Sequence, residues 1–312
     1  MPATISQLRQ AFARLLVAIP GNRAGAMPQS HNMHTRHESG QNCGYGLSNG
    51  RGMVIMADPG EQSHAAGTLP QAVRRDFSGI GYAEAMRRAR EIVPILRERA
   101  QKAEDARMLI RENEQLLHET GLFRFHQPKA FGGMELDFVA VVDIAAELAR
   151  GCPSTAWNVG NLACHHWILG YYDPETQREV WDANPDALIA SSIALAAGRG
   201  RKVEGGYIVS GRWPFSSGVD NSDWNMLAVT VYGDDGKAPI DWRLCLVPKS
   251  DYEIIDTWYA MGMEATGSKD IAVTERFVPD RRALPLQRCR GGPDHPGAAL
   301  TPGPLYRIPV VA

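Results

Sequence analysis

Residues 189–218 read IASSIALAAGRGRKVEGGYIVSGRWPFSSG, and the texture of the chain changes within them. The runs LIASSIAL and KVEGGYIVSGRW are short, rich in β-branched and aromatic residues, and bounded by Gly, Pro or Asn, which predicts strands. Glu204-Gly205-Gly206 is placed like a hairpin turn between two of them. Downstream, WNMLAVTVYG (224–233), WRLCLVP (242–248), YEIIDTWYAM (252–261) and DIAVTERFVP (270–279) repeat the pattern, with Asp234-Asp235-Gly236 as a second turn. That spacing predicts an antiparallel barrel or sandwich.

Upstream the period is different. AEAMRRAREIVPILRERAQKAEDARMLIRENEQLLHETGLF (83–123) carries apolar residues at three-to-four spacing among many charges and predicts two amphipathic helices, with Pro94 as a kink or start and Gly121 as a C-terminal cap. LDFVAVVDIAAELARG (136–151) predicts a more buried helix, PSTAWNVGNLACHHWILGYY (153–172) one that starts at Pro153 and Ser154, and PETQREVWDAN (174–184) a short one. The fold class is therefore α+β. We divide the chain into a poorly ordered extension (1–77), a helical domain (78–187), a β domain (188–284) and a Pro/Gly-rich tail (285–312).

Composition narrows the function. With 312 residues, 44% apolar, 22% charged and a net charge of -2, the chain has no basic footprint for nucleic acid or an anionic membrane. Stretches such as Phe138–Ala146 fall far short of the roughly 20 residues a spanning helix needs. Cys43, Cys152, Cys164, Cys245 and Cys289 are scattered, with no C-x-x-C pair, so a disulfide framework or zinc ribbon is not indicated and a reducing, cytoplasmic setting is expected. LRQAFARLLVAIP (8–20), followed by RAGA (23–26), imitates a signal peptide only faintly, because Arg14 interrupts its apolar stretch.

Several short motifs each have an ordinary reading. Gly46-Leu47-Ser48-Asn49-Gly50 matches a nucleophile-elbow pattern, but no strand leads into it. His31, His34 and His37 lack the rigid frame a metal site needs, and no metal is expected. No Gly-x-Gly-x-x-Gly or Walker lysine occurs. Cys164-His165-His166-Trp167 lies on an apolar helix, where a histidine serves either as a satisfied core group or as a catalyst. Ser191-Ser192 and Trp213-Pro214-Phe215-Ser216-Ser217-Gly218 put hydroxyls beside aromatics at strand ends, as turn hydrogen bonds or as an edge for a flat ring. Gly262 to Ser268 is a small-residue turn suited to a ligand's close approach or to a tight corner.

Taken in order, the helical segment, Ala130-Phe131-Gly132-Gly133, His165-His166-Trp167, Ile189-Ala190-Ser191-Ser192, Gly211 to Gly218, Gly262 to Asp270 and Phe277-Val278-Pro279 resemble the acyl-CoA dehydrogenase superfamily. The likeness spans Tyr82 to Ala312 and is closest to the reduced-flavin-dependent aromatic hydroxylases: the oxygenase components of 4-hydroxyphenylacetate 3-hydroxylase and of the steroid-ring phenol hydroxylase, and the pigment-production hydroxylase branch. The resemblance implies a helical domain, a β barrel and a C-terminal four-helix bundle, the last expected to be missing from this chain. It also implies reduced FAD or FMN from a separate flavin reductase, molecular oxygen as co-substrate, a small aromatic substrate, and a homo-oligomer. Catalysis would run through a flavin C4a-hydroperoxide. His165 would contact the substrate phenol and Ser192 would sit near the peroxide. Trp213 and Phe215 would border the flavin ring, Ser216 would bond its N5 region, and Ser217, Thr266, Gly267 and Ser268 would lie close to it. Glu264 stands where the resembled proteins often carry arginine. The rivals are an acyl-CoA dehydrogenase, which needs a basic carboxylate that no residue here supplies, and an inactive shortened homologue.

Overall fold

The computed structural model describes residues 75–233 and 235–310. The Gly46–Gly50 motif, the three N-terminal histidines and most of the expected extension lie outside the described residues.

Among the described residues six α-helices come first: α1 (Tyr82–Glu98), α2 (Ala100–Ala106), α3 (Arg111–Thr120), α4 (Val139–Ala149), α5 (Pro153–Leu169) and α6 (Pro174–Trp181). The segment read as two helices is thus three. Pro94 lies inside α1 and starts nothing, whereas Arg107 takes a left-handed conformation (φ 53°) that ends α2. Gly121 caps α3 at φ 75°, as its position implied, and a Cβ there would fall 2.7 Å from the Phe77 ring. α5 opens with Pro153 in its first turn, and the buried Sγ of Cys152 accepts from the Thr155 N–H at 3.5 Å.

Eight strands follow among the described residues: β1 (Ile189–Ser192), β2 (Gly198–Val203), β3 (Gly206–Ser216), β4 (Trp224–Tyr232), β5 (Pro239–Pro248), β6 (Glu253–Ile255), β7 (Lys269–Pro279) and β8 (Ala283–Pro285). Both expected hairpins form, β2–β3 through Gly205 (φ 73°) and β4–β5 through Gly236 (φ 66°). The barrel does not. The strands make one open sheet in the order β6-β7-β3-β2-β4-β5-β8, with β1 beside β4. The edge strands β6 and β8 are three residues long, and beyond each the chain leaves the sheet, so neither edge offers a ladder long enough to close it. Nor is the sheet wholly antiparallel, since β1 and β2 both run parallel to β4.

Those two strands share one edge of β4, and their registers define a fork. Ser192 pairs with Leu227 and Arg199 with Thr230, so six residues of chain (193–198) pass where β4 has only two (228 and 229). The surplus bulges out through a 3-10 turn at Leu195–Ala197.

One hydrophobic core joins helices to sheet, packing Leu96, Phe123, Ile144, Val159, Trp213 and Val229 among others. A second holds Trp167, Tyr172, Trp181, Leu246 and Tyr306. Tyr306 comes from the tail, which folds back on the end of α5: Trp167 Nε1 donates to Leu305 O at 2.9 Å, and Tyr306 Oη to His126 O at 3.1 Å. Gly297 sits so close there that a Cβ would lie 2.0 Å from Gly170 O. No helix among the described residues is long and apolar enough to cross a membrane.

Candidate functional site

A cleft of about 500 Å³ opens at the fork. Its walls come from β1 and the bulged chain after it (Ser191–Ala194), the end of β3 (Pro214, Phe215, Ser217), one face of α5 (Trp157, Asn161) and the segment Trp258–Ser268.

α5 supplies a stripe that descends into the cleft. Trp157, Asn161 and His165 are spaced i, i+4, i+8 and so share a face. Trp157 stands at the rim, 52% exposed, Asn161 is half-buried in the wall, and His165 lies beneath, 5% exposed. His165 Nδ1 is 2.6 Å from Ile189 O, and Nε2 is 2.9 Å from Ser191 Oγ. A carbonyl only accepts, so Nδ1 carries the proton and Nε2 accepts from the Ser191 hydroxyl. Burial holds the imidazole neutral by pushing its pKa down to about 4, against the smaller upward pull of the Ile189 carbonyl. The histidine therefore reaches the cleft through Ser191. The neighbouring Cys164 thiol is pushed up to about 12 by burial, which makes it a poor nucleophile. His166 is sealed in the core with Nδ1 accepting from Trp181 Nε1 at 3.1 Å.

The end of β3 is re-aimed by a bulge. Trp213 pairs with Ile271 and Ser216 with Lys269, so Pro214 and Phe215 face Asp270 alone. Pro214 has no N–H to give the ladder, and Phe215 adopts φ 60°, which turns its ring out to 67% exposure at the cleft, edge-on to Trp258 at 6.2 Å.

The third wall is a directed chain of hydroxyls. Thr266 Oγ1 donates to Met263 O at 2.8 Å, so it accepts from Ser268 Oγ (2.8 Å). Ser268 in turn accepts from Ser217 Oγ (2.7 Å), which accepts from Trp157 Nε1 (3.1 Å). Every hydrogen of the chain is committed to the next acceptor along it, leaving lone pairs to meet a ligand's N–H groups.

Of the expected residues, Phe215, Ser217, Thr266, Ser268 and Ser192 line this cleft, and His165 sits behind Ser191. Ser192 bridges the fork by donating to Pro214 O at 2.6 Å. Three others lie elsewhere. Trp213 is fully buried, its indole N–H on Ala228 O at 2.8 Å, and Ser216 is buried with its Oγ accepting from Asn225 Nδ2 at 2.8 Å. Gly267 makes the turn at φ 54°, where a Cβ would meet Asp220 Oδ2 at 2.9 Å. Glu264 is outside the lining. Trp157 and Asn161 escaped the sequence reading, which named Ser191 only beside Ser192 as a turn hydroxyl or ring edge, although the i, i+4, i+8 spacing on an N-capped helix was there to mark both with His165. Among the described residues no His, Cys, Asp and Glu cluster suits a metal.

Residues 83–182 match the family model for the acyl-CoA dehydrogenase N-terminal domain. The oxygenase subunit HsaA of a flavin-dependent monooxygenase from Rhodococcus jostii is 37% identical over 224 residues, 72% of this chain and 58% of that protein. The oxygenase component of an FADH(2)-dependent resorcinol hydroxylase from Rhizobium sp. is 34% identical over 220 residues, 70% of this chain and 53% of that one. The crystal structure of the 3-HSA hydroxylase from Rhodococcus sp. RHA1 superposes with a TM-score of 0.70 at 36% identity, over 73% of this chain and 58% of its own. The chain thus spans little more than half the length of the relatives it matches. Residues 83–182 carry the match to the acyl-CoA dehydrogenase N-terminal domain, and over the region shared with these relatives the chain is similar to oxygenase components of flavin-dependent monooxygenases.

Proposed function

We propose that this chain is the oxygenase component of a two-component flavin-dependent monooxygenase that hydroxylates a phenolic ring. The observation carrying this reading is the cleft at the fork, which combines an aromatic rim, a wall of outward lone pairs and a neutral Ser191–His165 pair. The residues present fit a flavin: Trp157, Phe215 and Trp258 offer faces for a flat ring, and Ser217, Thr266 and Ser268 offer acceptors for ring N–H groups. A reduced flavin held there, delivered by a separate reductase, would supply the electrons that activate oxygen.

The chain's own residues manage the substrate. Ser191 Oγ, its hydrogen held by His165, offers a lone pair to a phenol O–H. As that proton leaves, Ser191 passes its own to His165 Nε2, and the electron density of the ring rises at the carbons ortho to oxygen. The Ile189 carbonyl fixes the imidazole so that Nε2 faces the serine. Ile193, Pro214 and Met263 add apolar wall that displaces water from the reacting face.

Anaerobic titration of the purified chain with reduced FMN and reduced FAD, followed by oxygen and a phenol, tests the reading. We expect saturable binding of at least one reduced flavin and formation of a catechol. Failure of either flavin to bind, with no catechol formed, would reject it.

A further inference from the structure

Asn161 stands one helical turn above His165 on the face of α5 that lines the cleft, and its side-chain amide has no partner among the described residues. In this it differs from every other polar side chain of the lining. The Trp157, Ser217, Ser268 and Thr266 hydrogens run along the chain to Met263 O, Trp258 Nε1 donates to that same carbonyl at 3.3 Å, and Ser192 donates to Pro214 O. The Ser191 hydrogen is held by His165. The cleft is therefore rich in acceptors, and among the described residues that line it Asn161 Nδ2 is the single uncommitted side-chain donor.

A phenol needs both kinds of partner on one oxygen. Its hydrogen goes to Ser191, and its lone pairs, which gain charge as the proton leaves, require a donor. We infer that Asn161 is a substrate-binding residue that donates Nδ2–H to the phenolic oxygen, so that Ser191 and Asn161 read the same atom from opposite sides. The inference rests on the proposed phenol site and adds to it the group that selects an oxygenated ring over a bare one and favours its ionised form.

Equilibrium dialysis of the full chain against 2-naphthol and naphthalene, in wild type and in Asn161→Leu, separates the possibilities. Wild type should prefer naphthol. Asn161→Leu, similar in size but without a donor, should bind naphthol about tenfold more weakly, the ratio expected for one neutral hydrogen bond, and naphthalene within about twofold of wild type. The absorbance of bound naphthol should also show it ionising at higher pH in the variant, a change that altered cleft shape alone does not produce. An unchanged naphthol-to-naphthalene ratio with an unshifted ionisation would overturn the role of Asn161 while leaving the phenol site standing. Equal loss of both rings in the variant would likewise overturn it, by reducing Asn161 to a shaping residue. If wild type bound neither ring, the phenol site itself would fall and this inference with it.

Discussion

His165→Asn should cut product formation by about 10²–10⁴-fold, the usual worth of a positioned proton acceptor, while oxidation of reduced flavin by oxygen continues and ends as hydrogen peroxide. The substitution is chosen because an Asn side chain keeps polar atoms for both present partners, the Ile189 carbonyl and the Ser191 hydroxyl, but cannot take up a proton. Product and peroxide counted per flavin oxidised would decide it; an unaltered ratio would remove the histidine from the chemistry. The same variant has a second signature. His165 is depressed by burial from 6.5 to about 4, so the folded state resists a proton that the unfolded chain accepts. Its contribution to stability is intact above pH 6.5 and is lost as the pH falls toward 4, an effect on the order of 3 kcal/mol. His126, buried and held down to about 3, and the deeply buried His166 act in the same direction. The acid slope between pH 6.5 and 4 should therefore be shallower in His165→Asn than in wild type, though not abolished, and urea midpoints across that range would measure the difference.

Trp213→Ala should destabilise the protein by about 3–5 kcal/mol, the range for removing a large buried aromatic. The indole fills a space shaped for it: a Cβ on Gly198 would stand 2.3 Å from Trp213 Cζ2, and one on Gly211 2.8 Å from Cη2, so two glycines yield their volume to one ring. Trp213→Phe keeps much of the packing but surrenders the bond to Ala228 O, and should lose less. Thermal melts of the two variants rank them. If Trp213→Ala instead melted like wild type and lost only flavin binding, the residue would belong to the cleft wall after all.

These two residues show how far the sequence could be read. The order of helices and strands was legible because each has its own period and its own punctuation: Gly121, Pro153, Gly205 and Gly236 all act where local chemistry says they should. The string around Trp213 marked the neighbourhood of the cleft, which Pro214, Phe215 and Ser217 line. What it could not reveal was which side chains faced the opening. Alternation along β3 would put Trp213 and Phe215 on one face, yet the bulge at Pro214–Phe215 separates them, sending one into the core and the other into solvent. A similar ambiguity governed Ser191 and Ser192. Neighbours on a strand point oppositely, and only the position of α5 determines which of them meets His165. Closure of the sheet was equally hidden, because it depends on how long the edge strands run once the chain is needed elsewhere, and six residues after β6 were read as strand but build the approach to the cleft instead.

Because β1 and β2 each keep their own rungs on β4, the loop between them is tied to that strand chiefly by the bond from Thr230 Oγ1 to Leu195 O at 3.0 Å and by the packing of Ala194, Leu195 and Ala197, outside either ladder. Adding or deleting a residue at Leu195–Ala197 would alter the girth of the opening while both ladders stayed intact. A lineage built this way can try wider or slimmer aromatic guests by small insertions at a single bend, and a laboratory library confined to that bend is the economical place to retune which guest is admitted.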